Sequence, residues 1–375
     1  MTKICVDCRY IGPRPSGIGK VQQALVDYLP GLAPEIAFVF LKRADAPAQL
    51  SAAANVREVV VHAAANSPTT MWWLPRAAPL GDVQLFHATF NIMPAGLTMP
   101  CVTTVHDIMW LTNPEWCKAR FSRPLERRFY RHGIDRALRS AAAITTVSEA
   151  SKQELLRWKP ELGGRVHPAL LGVTGEYRPV RDAAARLAGL GLPAGKRIVL
   201  TVGQYVPYKN HEGALRIFAE ACGSREDTNL VFLQRLSRNT DDLRALAKTL
   251  GIANRVHFLE AVDDASLVAL YGAADCLLHP SFCEGFGLPL LEAMACGCPV
   301  VASDHSAMPE VLGGAGMLAP VHDTTAIAGA LRRVLDDPGL VETLRSAGIA
   351  RAATFSWERF AMQNLAVYRG VLGCQ

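Results

Sequence analysis

Short apolar runs recur along the chain, separated by amphipathic stretches and by loops rich in Gly, Pro and Asn. Several of these runs are apolar throughout, which is typical of strands buried on both faces of a parallel sheet. In the first half of the chain they predict strands at residues 3–8, 36–41, 56–61, 83–88, 101–106 and 142–147. A helix is predicted at residues 21–29, after the first strand and a glycine loop. This alternation predicts a doubly wound α/β domain.

A second series of strands, loops and helices begins at residues 197–203 and continues through strands at 256–260 and 276–278. It predicts a second doubly wound domain. The last helix carries apolar residues near helical spacing, namely Phe355, Phe360, Leu365, Tyr368 and Leu372. The pattern therefore predicts an N-terminal domain, a C-terminal domain and a final helix at 355–375.

The stretch 276–302 reads as a strand, a loop broken by Gly285 and Gly287, a short helix and a second strand. Amide groups at the start of this helix would open at the carboxyl end of a strand, where they stabilise an anion such as a phosphate. Glu284 lies in the loop and Glu292 about one turn into the helix, so both could face the same crevice. The alternative is a charge beside a helix N-terminus and a solvated helix position.

Two other predicted strands end in histidine, at His87 and His106. Open parallel sheets bind ligands at the edge where their strands end. A histidine there is either a hydrogen-bonded structural residue or a functional group. For His87 both interpretations stay open.

The composition is that of an ordinary globular protein, since 50% of the 375 residues are hydrophobic and 19% are charged. This length predicts two or three domains, and the composition excludes a disordered chain. We find no apolar stretch of about 18 residues and no basic-then-apolar N-terminus, so we expect neither a spanning helix nor a secretory signal. Cys5 and Cys8 lie in a predicted strand without a second pair at zinc spacing, so we expect buried thiols in a reducing cytosol and no metal site.

The segment 118–139 is the most strongly charged part of the chain, with a local balance of +6 compared with +5 for the whole chain. One interpretation is a solvated helix face. The other is an acceptor or membrane face that binds a lipid phosphate or anionic lipid head groups. We expect Pro124 to interrupt the helix. The residues assigned to this face are Arg120, Arg123, Arg127, Arg128 and Arg131.

With two glutamates separated by seven residues, the 276–302 stretch resembles the GT4 family of retaining nucleotide-sugar glycosyltransferases. The resemblance extends to SGIGK at 16–20, the HD pair at 106–107, VSE at 147–149, Lys209 and FSWE at 355–358, and so covers nearly the whole chain. It implies the GT-B fold, with two Rossmann-like domains facing each other across a cleft. The family's usual turn before its linker implies a boundary near Pro179, which gives an N-terminal domain at residues 1–178 and a C-terminal domain at 179–354. The acceptor would bind the N-terminal domain and the nucleotide-sugar the C-terminal domain. The final helix would return to the N-terminal domain, although the residues alone also allow it to pack on its own domain.

The resemblance also implies roles for individual residues. Glu284 would hold hydroxyls of the donor sugar, Glu292 the nucleotide ribose, and Lys209 the leaving diphosphate. His106 would contact the donor sugar or assist near its anomeric carbon, with Asp107 orienting its ring. We therefore predict His106, Glu284 and Lys209 as catalytic residues. The predicted donor-binding residues are Gly17, Gly19, Gly203, Lys209, Arg235, Arg238, Glu284, Gly285, Phe286, Gly287, Leu288 and Glu292.

Three positions depart from the family pattern. Tyr208 stands where the family has an Arg before the Lys, Gln204 where many relatives have Arg, and Gln234 where a strand usually ends in Gly. The usual pair of cations is therefore incomplete. One hypothesis is that Arg235 or Arg238 replaces the missing one, and the alternative is a change at the protein surface.

The implied activity is transfer of a hexose from a nucleotide-sugar with retention of the anomeric configuration. We predict GDP-mannose or a related GDP-hexose as donor, and a glycan or lipid-linked acceptor in cell-surface polysaccharide synthesis. Because the chain has no Asp-x-Asp motif, we expect no metal and no cofactor. We find no nucleic-acid recognition module and expect no nucleic-acid partner. The expected location is the cytoplasm, with peripheral contact with the anionic inner face of the plasma membrane if the basic segment binds lipid.

Three alternatives remain at this point. A GT-B nucleotide-sugar epimerase or hydrolase would share the fold and need no acceptor. A non-catalytic relative could bind a partner through the basic face. The departures from the family pattern at Tyr208 and Gln234 raise this alternative. A nicotinamide dehydrogenase is disfavoured, because the dinucleotide fingerprint needs a third glycine where this chain has Gln22.

Overall fold

The computed structural model describes residues 1–13, 16–117, 123–234, 238–260 and 262–373. Its strands form two sheets in which every pair of neighbouring strands is parallel. The strands are β1 Thr2–Asp7, β2 Ile36–Lys42, β3 Val56–Val60, β4 Leu85–Ala88, β5 Cys101–Val105, β6 Ala143–Thr146, β7 Val166–Pro168, β8 Arg197–Val202, β9 Thr228–Leu233, β10 Val256–Leu259, β11 Cys276–His279, β12 Val300–Ser303 and β13 Met317–Ala319.

Helices connect most of the strands, and many begin at a Ser, Asp or Asn whose side chain accepts a hydrogen bond from the first turn. The helices are α1 Gly17–Leu32, α2 Pro68–Ala77, α3 Met109–Thr112, α4 Arg123–Ser140, α5 Glu149–Trp158, α6 Ala183–Arg186, α7 His211–Cys222, α8 Arg238–Thr249, α9 Asp264–Ala273, α10 Leu288–Ala295, α11 Met308–Leu312, α12 Thr324–Asp336, α13 Pro338–Ala352 and α14 Trp357–Leu372. Short 3-10 turns lie at Pro114–Trp116, Pro160–Arg165, Ala188–Leu190, Pro207–Lys209 and Ala253–Arg255.

The chain divides into two compact units. Unit 1 comprises Met1–Pro114, Ala119–Gly172 and Ser356–Gln375, and unit 2 comprises Glu115–Lys118 and Val173–Phe355. The main division therefore falls between Gly172 and Val173, where we had placed it between residues 178 and 179.

Each unit has the strand order of a doubly wound fold. The sheet of unit 1 runs β3-β2-β1-β4-β5-β6-β7, and that of unit 2 runs β10-β9-β8-β11-β12-β13. In both, the order reverses beside the first strand of the unit, which is where such sheets bind ligands. The predicted α/β class with two Rossmann-like domains is confirmed.

The C-terminal helix α14 belongs to unit 1 and packs against α1, which confirms the predicted return. Its Tyr368 hydroxyl lies 2.5 Å from His87 Nδ1, and His87 Nε2 lies 2.8 Å from the Thr104 hydroxyl. All three side chains are buried, and burial lowers the pKa of His87 to about 3. The ring is therefore neutral and fully hydrogen-bonded, so the structural interpretation of His87 is the correct one.

Unit 2 buries its core on the face of the sheet covered by α7 and α12. Phe218 on α7, Phe232 on β9 and Leu331 on α12 belong to this cluster and are fully buried. Burying a side chain of this size stabilises a fold by roughly 1.5–3 kcal/mol. The strand ends that carry the candidate site are thus anchored by a packed core.

The helix boundaries differ from the sequence-based expectation at Pro124. We expected Pro124 to interrupt a helix, but α4 begins at Arg123 and places this proline in its first turn. That expectation was wrong because a first-turn proline loses no intrahelical hydrogen bond and its fixed φ suits the helix. The pattern also failed to reveal α2 and β13, of which β13 spans only three residues.

We predict that Tyr368→Phe lowers the free energy of unfolding by about 1–3 kcal/mol, because it leaves His87 Nδ1 buried without its partner. Urea unfolding followed by circular dichroism measures the change. The matched control is Tyr28→Phe on α1, where the tyrosine is 38% exposed. Equal stability of the two variants would show that the His87 contact does not hold α14.

Candidate active site

Glu284 follows β11 in unit 2, at the edge where the parallel strands of the sheet end. Its side chain is buried, and two groups contact the same carboxylate oxygen. The Lys209 ammonium donates to Oε1 at 2.6 Å, and His279 Nε2 donates to Oε1 at 2.8 Å. Within the described part of the chain, Oε2 has no hydrogen-bonding partner. One carboxylate oxygen is therefore fixed and the other is left for a ligand.

The charge of Glu284 follows from these contacts. Burial alone would raise the pKa of its carboxyl, but the charge of Lys209 and the hydrogen bond from His279 outweigh it and lower the pKa to about 2. Burial lowers the pKa of His279, although Glu284 opposes this. At neutral pH an anionic carboxylate thus accepts from a neutral imidazole and a cationic lysine.

Lys209 ends the Pro207–Lys209 turn after β8. The Lys209 side chain passes Gly203, where an added Cβ would be in ordinary van der Waals contact with Lys209 Cε at 3.4 Å, so the φ of +142° and not a lack of space favours glycine. The Tyr208 ring lies 5.6 Å from Lys209 Nζ, within cation–π range. The Tyr208 carbonyl also accepts from the Phe282 amide at 2.7 Å. Tyr208, which departs from the family pattern, therefore supports both the lysine and the Glu284 loop.

The loop between β11 and α10 is tied to neighbouring segments. Asn210, which caps α7, donates to the Pro280 carbonyl at 3.0 Å. Ser306, after β12, bonds both backbone groups of Glu284. Ser281 lies 3.1 Å from His279 Nε2. These contacts come from the ends of β8, β11 and β12, which are neighbours in the sheet.

Helix α10 starts immediately after this loop. Gly287 precedes it with φ +98°, a conformation that favours glycine, and no side chain caps the helix there. The Leu288 amide can therefore receive an anion, whereas Pro289 has no N–H and the Leu290 amide donates to the Gly287 carbonyl at 2.9 Å. The Phe286 ring is buried against Phe355, so only the backbone of Phe286 can serve a ligand. Gly285 completes the predicted loop set at the same strand end.

Glu292 lies one turn into α10 and is 5% exposed. The Tyr271 hydroxyl donates to its Oε2 at 3.0 Å. This hydrogen bond compensates the burial of a polar group. The predicted contact with a ribose stays a prediction.

His106, the predicted catalytic histidine of unit 1, directly follows β5. Its Nε2 donates to the Thr89 carbonyl at 3.0 Å, which leaves the lone pair on Nδ1. Burial lowers its pKa, so the ring is neutral. The Asp107 carboxylate accepts from the Met109 amide at 3.1 Å, and its expected role in orienting the His106 ring stays a prediction. The Thr89 carbonyl holds the ring at Nε2.

The predicted glycines of unit 1 lie at the start of α1. Gly17 is its first residue, and the Gly19 amide donates to the capping Ser16 hydroxyl at 3.0 Å. Gln22, which stands at the dinucleotide fingerprint position, is fully buried. It accepts from the Tyr10 amide at 2.7 Å and donates to the Thr89 hydroxyl at 2.6 Å. Gln22 therefore fixes the segment whose carbonyl orients His106.

The predicted arginines are only partly covered by the structure. Arg127, Arg128 and Arg131 are exposed on α4. Arg120 and Arg235 lie outside the described residues, as do the side chains of Arg123 and Arg238, which begin α4 and α8. The hypothesis of a replacement cation thus stays a prediction.

Among the residues of the described ranges, no cluster of three or more His, Cys, Asp or Glu side chains is arranged to hold a metal ion. In the same ranges, no helix has both the length and the apolar character required to cross a membrane.

Sequence reasoning missed His279, Ser306 and Asn210. His279 ends a strand, which is the signal that singled out His87 and His106, so the same criterion could have found it. Ser306 and Asn210 carry no such signal, because their roles depend on φ values of +58° and +52° and on contacts distant in sequence. Neither property is visible in a residue pattern.

Comparison with known proteins identifies the family. The family model described as "Glycosyl transferases group 1" matches residues 185–351. The O-antigen chain mannosyltransferase B of Escherichia coli is 34% identical over 289 residues, which is 76% of this chain and 74% of that protein. The MMP alpha-(1->4)-mannosyltransferase of Mycolicibacterium hassiacum is 31% identical over 342 residues, which is 86% of this chain and 80% of that protein.

Solved structures agree on the fold. WaaG, a glycosyltransferase involved in lipopolysaccharide biosynthesis, aligns over 100% of both chains with a TM-score of 0.75 and 18% identity. HepE from Anabaena, solved in complex with UDP and glucose, aligns over 99% of this chain and 100% of its own with a TM-score of 0.74 and 18% identity. These likenesses show the GT-B fold, and the relatives above show the family. The chain is therefore an enzyme of the group 1 (GT4) glycosyltransferases, a hexosyltransferase family to which its sequence had pointed.

Proposed function

We propose that the enzyme transfers a hexose from a nucleotide-sugar to a glycan or lipid-linked acceptor in cell-surface polysaccharide synthesis, with retention and without a metal. The observation that carries this proposal is the Glu284 carboxylate. One of its oxygens is held by Lys209 and His279, and the other has no partner among the described residues. It lies at a strand end, directly before the uncapped amides of α10.

The second carboxylate oxygen, Oε2, can accept a hydrogen bond from a sugar hydroxyl. A hydroxyl that donates to an ionised carboxylate contributes about 1.5–3 kcal/mol. Since the pKa of Glu284 is about 2, the carboxylate is anionic throughout the neutral range. The Leu288 amide would hold the diphosphate next to it, because a helix N-terminus attracts anions. Glu284 would thus orient the sugar relative to its leaving group.

In the proposed reaction, the bond between the anomeric carbon and the diphosphate oxygen breaks, and the electron pair stays on the diphosphate. The acceptor oxygen forms the new bond to the same carbon on the face that the leaving group occupied, and its proton passes to an oxygen of the departing diphosphate. Lys209 and the Leu288 amide at the positive end of α10 stabilise the negative charge of the departing diphosphate, which supports a reaction without a metal. His106 keeps its predicted place near the donor sugar, where Nδ1 could accept a hydroxyl proton.

For the donor we propose GDP-mannose or a related GDP-hexose. Support comes from the two relatives whose names describe mannosyltransferases, one of them acting on an O-antigen chain. HepE was solved with UDP and glucose, so a uridine donor belongs in any test.

The test is to incubate the enzyme with GDP-mannose, UDP-glucose and dTDP-rhamnose, with and without lipid-linked or glycan acceptors and in the presence of EDTA. Acceptor-dependent nucleotide release with a retained anomeric configuration, read by NMR, supports the proposal. Release that needs no acceptor would instead indicate a hydrolase or epimerase. No release and no nucleotide diphosphate binding by calorimetry would indicate a non-catalytic relative.

We predict that Glu284→Gln lowers kcat/KM for the nucleotide-sugar about 100-fold, because a neutral amide forms weaker hydrogen bonds to the sugar than a carboxylate does. The affinity for the bare nucleoside diphosphate should be unchanged in calorimetry. Glu226→Gln, an exposed position in the same unit, is the control. A Glu284→Gln variant with the parental kcat/KM would show that the Glu284 carboxylate is not needed for the reaction.

We further predict that Lys209→Met makes activity sensitive to acid. Without the ammonium, burial raises the pKa of Glu284, so the carboxylate becomes protonated as the pH falls from neutral. The kcat/KM of the variant should therefore decline between about pH 7 and pH 5, where Glu284 of the parent, with its pKa of about 2, stays ionised. Lys248→Met, an exposed position on α8, is the control. Parallel pH profiles for Lys209→Met and the parent would contradict this coupling.

We also propose that unit 1 contacts an anionic membrane through a surface formed by α2 and α4. Trp72 and Trp73 are 44% and 51% exposed. The Trp72 ring lies 6.3 Å from both Phe129 and His132 of α4. Exposed tryptophans beside the arginines of the same helix suit the boundary between lipid head groups and acyl chains.

We expect Arg127→Ala/Arg128→Ala/Arg131→Ala to weaken binding to vesicles containing phosphatidylglycerol on the order of 100-fold, since each basic residue contributes about 1 kcal/mol. Sedimentation with vesicles measures the partition. A triple alanine variant at Arg181, Arg186 and Arg333, which are exposed in unit 2, removes the same charge elsewhere. Equal losses in the two variants would show that only net charge matters.

A further inference from the structure

Ser306 lies between β12 and α11 and contacts Glu284 in an unusual way. Its hydroxyl donates to the Glu284 carbonyl at 2.6 Å and accepts from the Glu284 amide at 3.3 Å. One side chain thus engages both backbone groups of the residue that carries the candidate sugar-binding carboxylate. The two residues are 22 positions apart in the sequence.

The backbone of Ser306 is in the left-handed region, with φ +58°. This conformation costs a residue with a side chain about 1–2 kcal/mol and persists only where surrounding contacts maintain it. Asn210, with φ +52°, offsets the same cost through its capping bonds. For Ser306 the contacts with such an effect are the two hydrogen bonds to Glu284 and a longer one, at 3.5 Å, with Cys283 Sγ.

The hydroxyl supplies a constraint that the loop otherwise lacks. The β11–α10 loop contains Gly285 and Gly287, which leave the backbone after Glu284 many conformations. Lys209 and His279 hold the end of the Glu284 side chain at Oε1. Ser306 fixes the Glu284 backbone, from which this side chain extends. With both ends fixed, the direction of Oε2 is determined.

We propose that Ser306 is a positioning residue, which aligns Glu284 for the donor sugar through the Glu284 backbone. This inference rests on the proposed function of Glu284 as the ligand of the sugar hydroxyls. The hydroxyl of Ser306 is occupied by the Glu284 carbonyl and amide, so its effect on the sugar is transmitted through Glu284.

The decisive variant is Ser306→Gly. Glycine adopts φ +58° without strain, so the variant should be at least as stable as the parent, while both hydrogen bonds are lost. We expect kcat/KM for the nucleotide-sugar to fall about tenfold, which corresponds to about 1.4 kcal/mol. The Kd of the bare nucleoside diphosphate, measured by calorimetry, should not change, because Glu284 addresses the sugar.

The matched control is Asp182→Gly. Asp182 is exposed, has φ +57° and makes no capping hydrogen bond with its side chain, so this variant relieves the same kind of strain away from Glu284. We expect its kcat/KM and Kd to equal those of the parent. A loss in Asp182→Gly as large as that in Ser306→Gly would overturn the proposal, as would a Ser306→Gly variant with parental activity.

A second measurement does not depend on turnover. Amide hydrogen exchange of the peptide 280–287 should become about tenfold faster in Ser306→Gly, because the Glu284 amide loses its acceptor. Unchanged exchange would overturn the proposal. If the parent enzyme shows no turnover with any nucleotide-sugar, the proposed function fails, and the exchange rates then decide whether Ser306 holds Glu284.

Discussion

The buried charge of Glu284 is the constraint around which the site of unit 2 is organised. A carboxylate removed from water without partners costs several kcal/mol and would become protonated instead. The fold supplies partners from three neighbouring strand ends. Lys209 follows β8 and His279 ends β11, and both contact the carboxylate, whereas Ser306 follows β12 and bonds the Glu284 backbone. Because parallel strands end at one edge, residues distant in sequence converge on a single residue.

The two strand-end histidines of unit 1, His87 and His106, are held by neutral groups, whereas Glu284 of unit 2 is paired with the charged Lys209. The His106 ring donates to the Thr89 carbonyl, and the Thr89 hydroxyl in turn accepts from Gln22. His87 lies between two hydroxyls. Burial lowers the pKa of both histidines, so neither carries charge at neutral pH. Hydrogen bonds to carbonyls and hydroxyls thus fix tautomers and ring positions without the cost of burying a cation.

The alternation of apolar runs was sufficient to predict two parallel sheets, because buried strands leave a clear signal in composition. The spacing of Glu284 and Glu292 and the position of Lys209 were sufficient to predict the loop and its family. Local patterns could not reveal that Lys209 pairs with Glu284, since that ion pair joins the loops after two different strands. They also could not reveal Ser306, whose role depends on a left-handed backbone and a partner 22 positions away. Pro124 shows the opposite failure, because a reliable rule about helix interiors was applied to a residue in the first turn.

The return of α14 to unit 1 has a consequence for how the protein is made. The sheet of unit 1 is translated first, all of β8 to β13 follows, and α14 comes last of the helices described here. While the ribosome synthesises unit 2, His87 therefore has no Tyr368 hydroxyl to bond, and the face of α1 that α14 covers stays uncovered. Unit 1 can reach its final packing only after unit 2 has been synthesised. The unit whose strands are translated first is therefore the last to complete its fold.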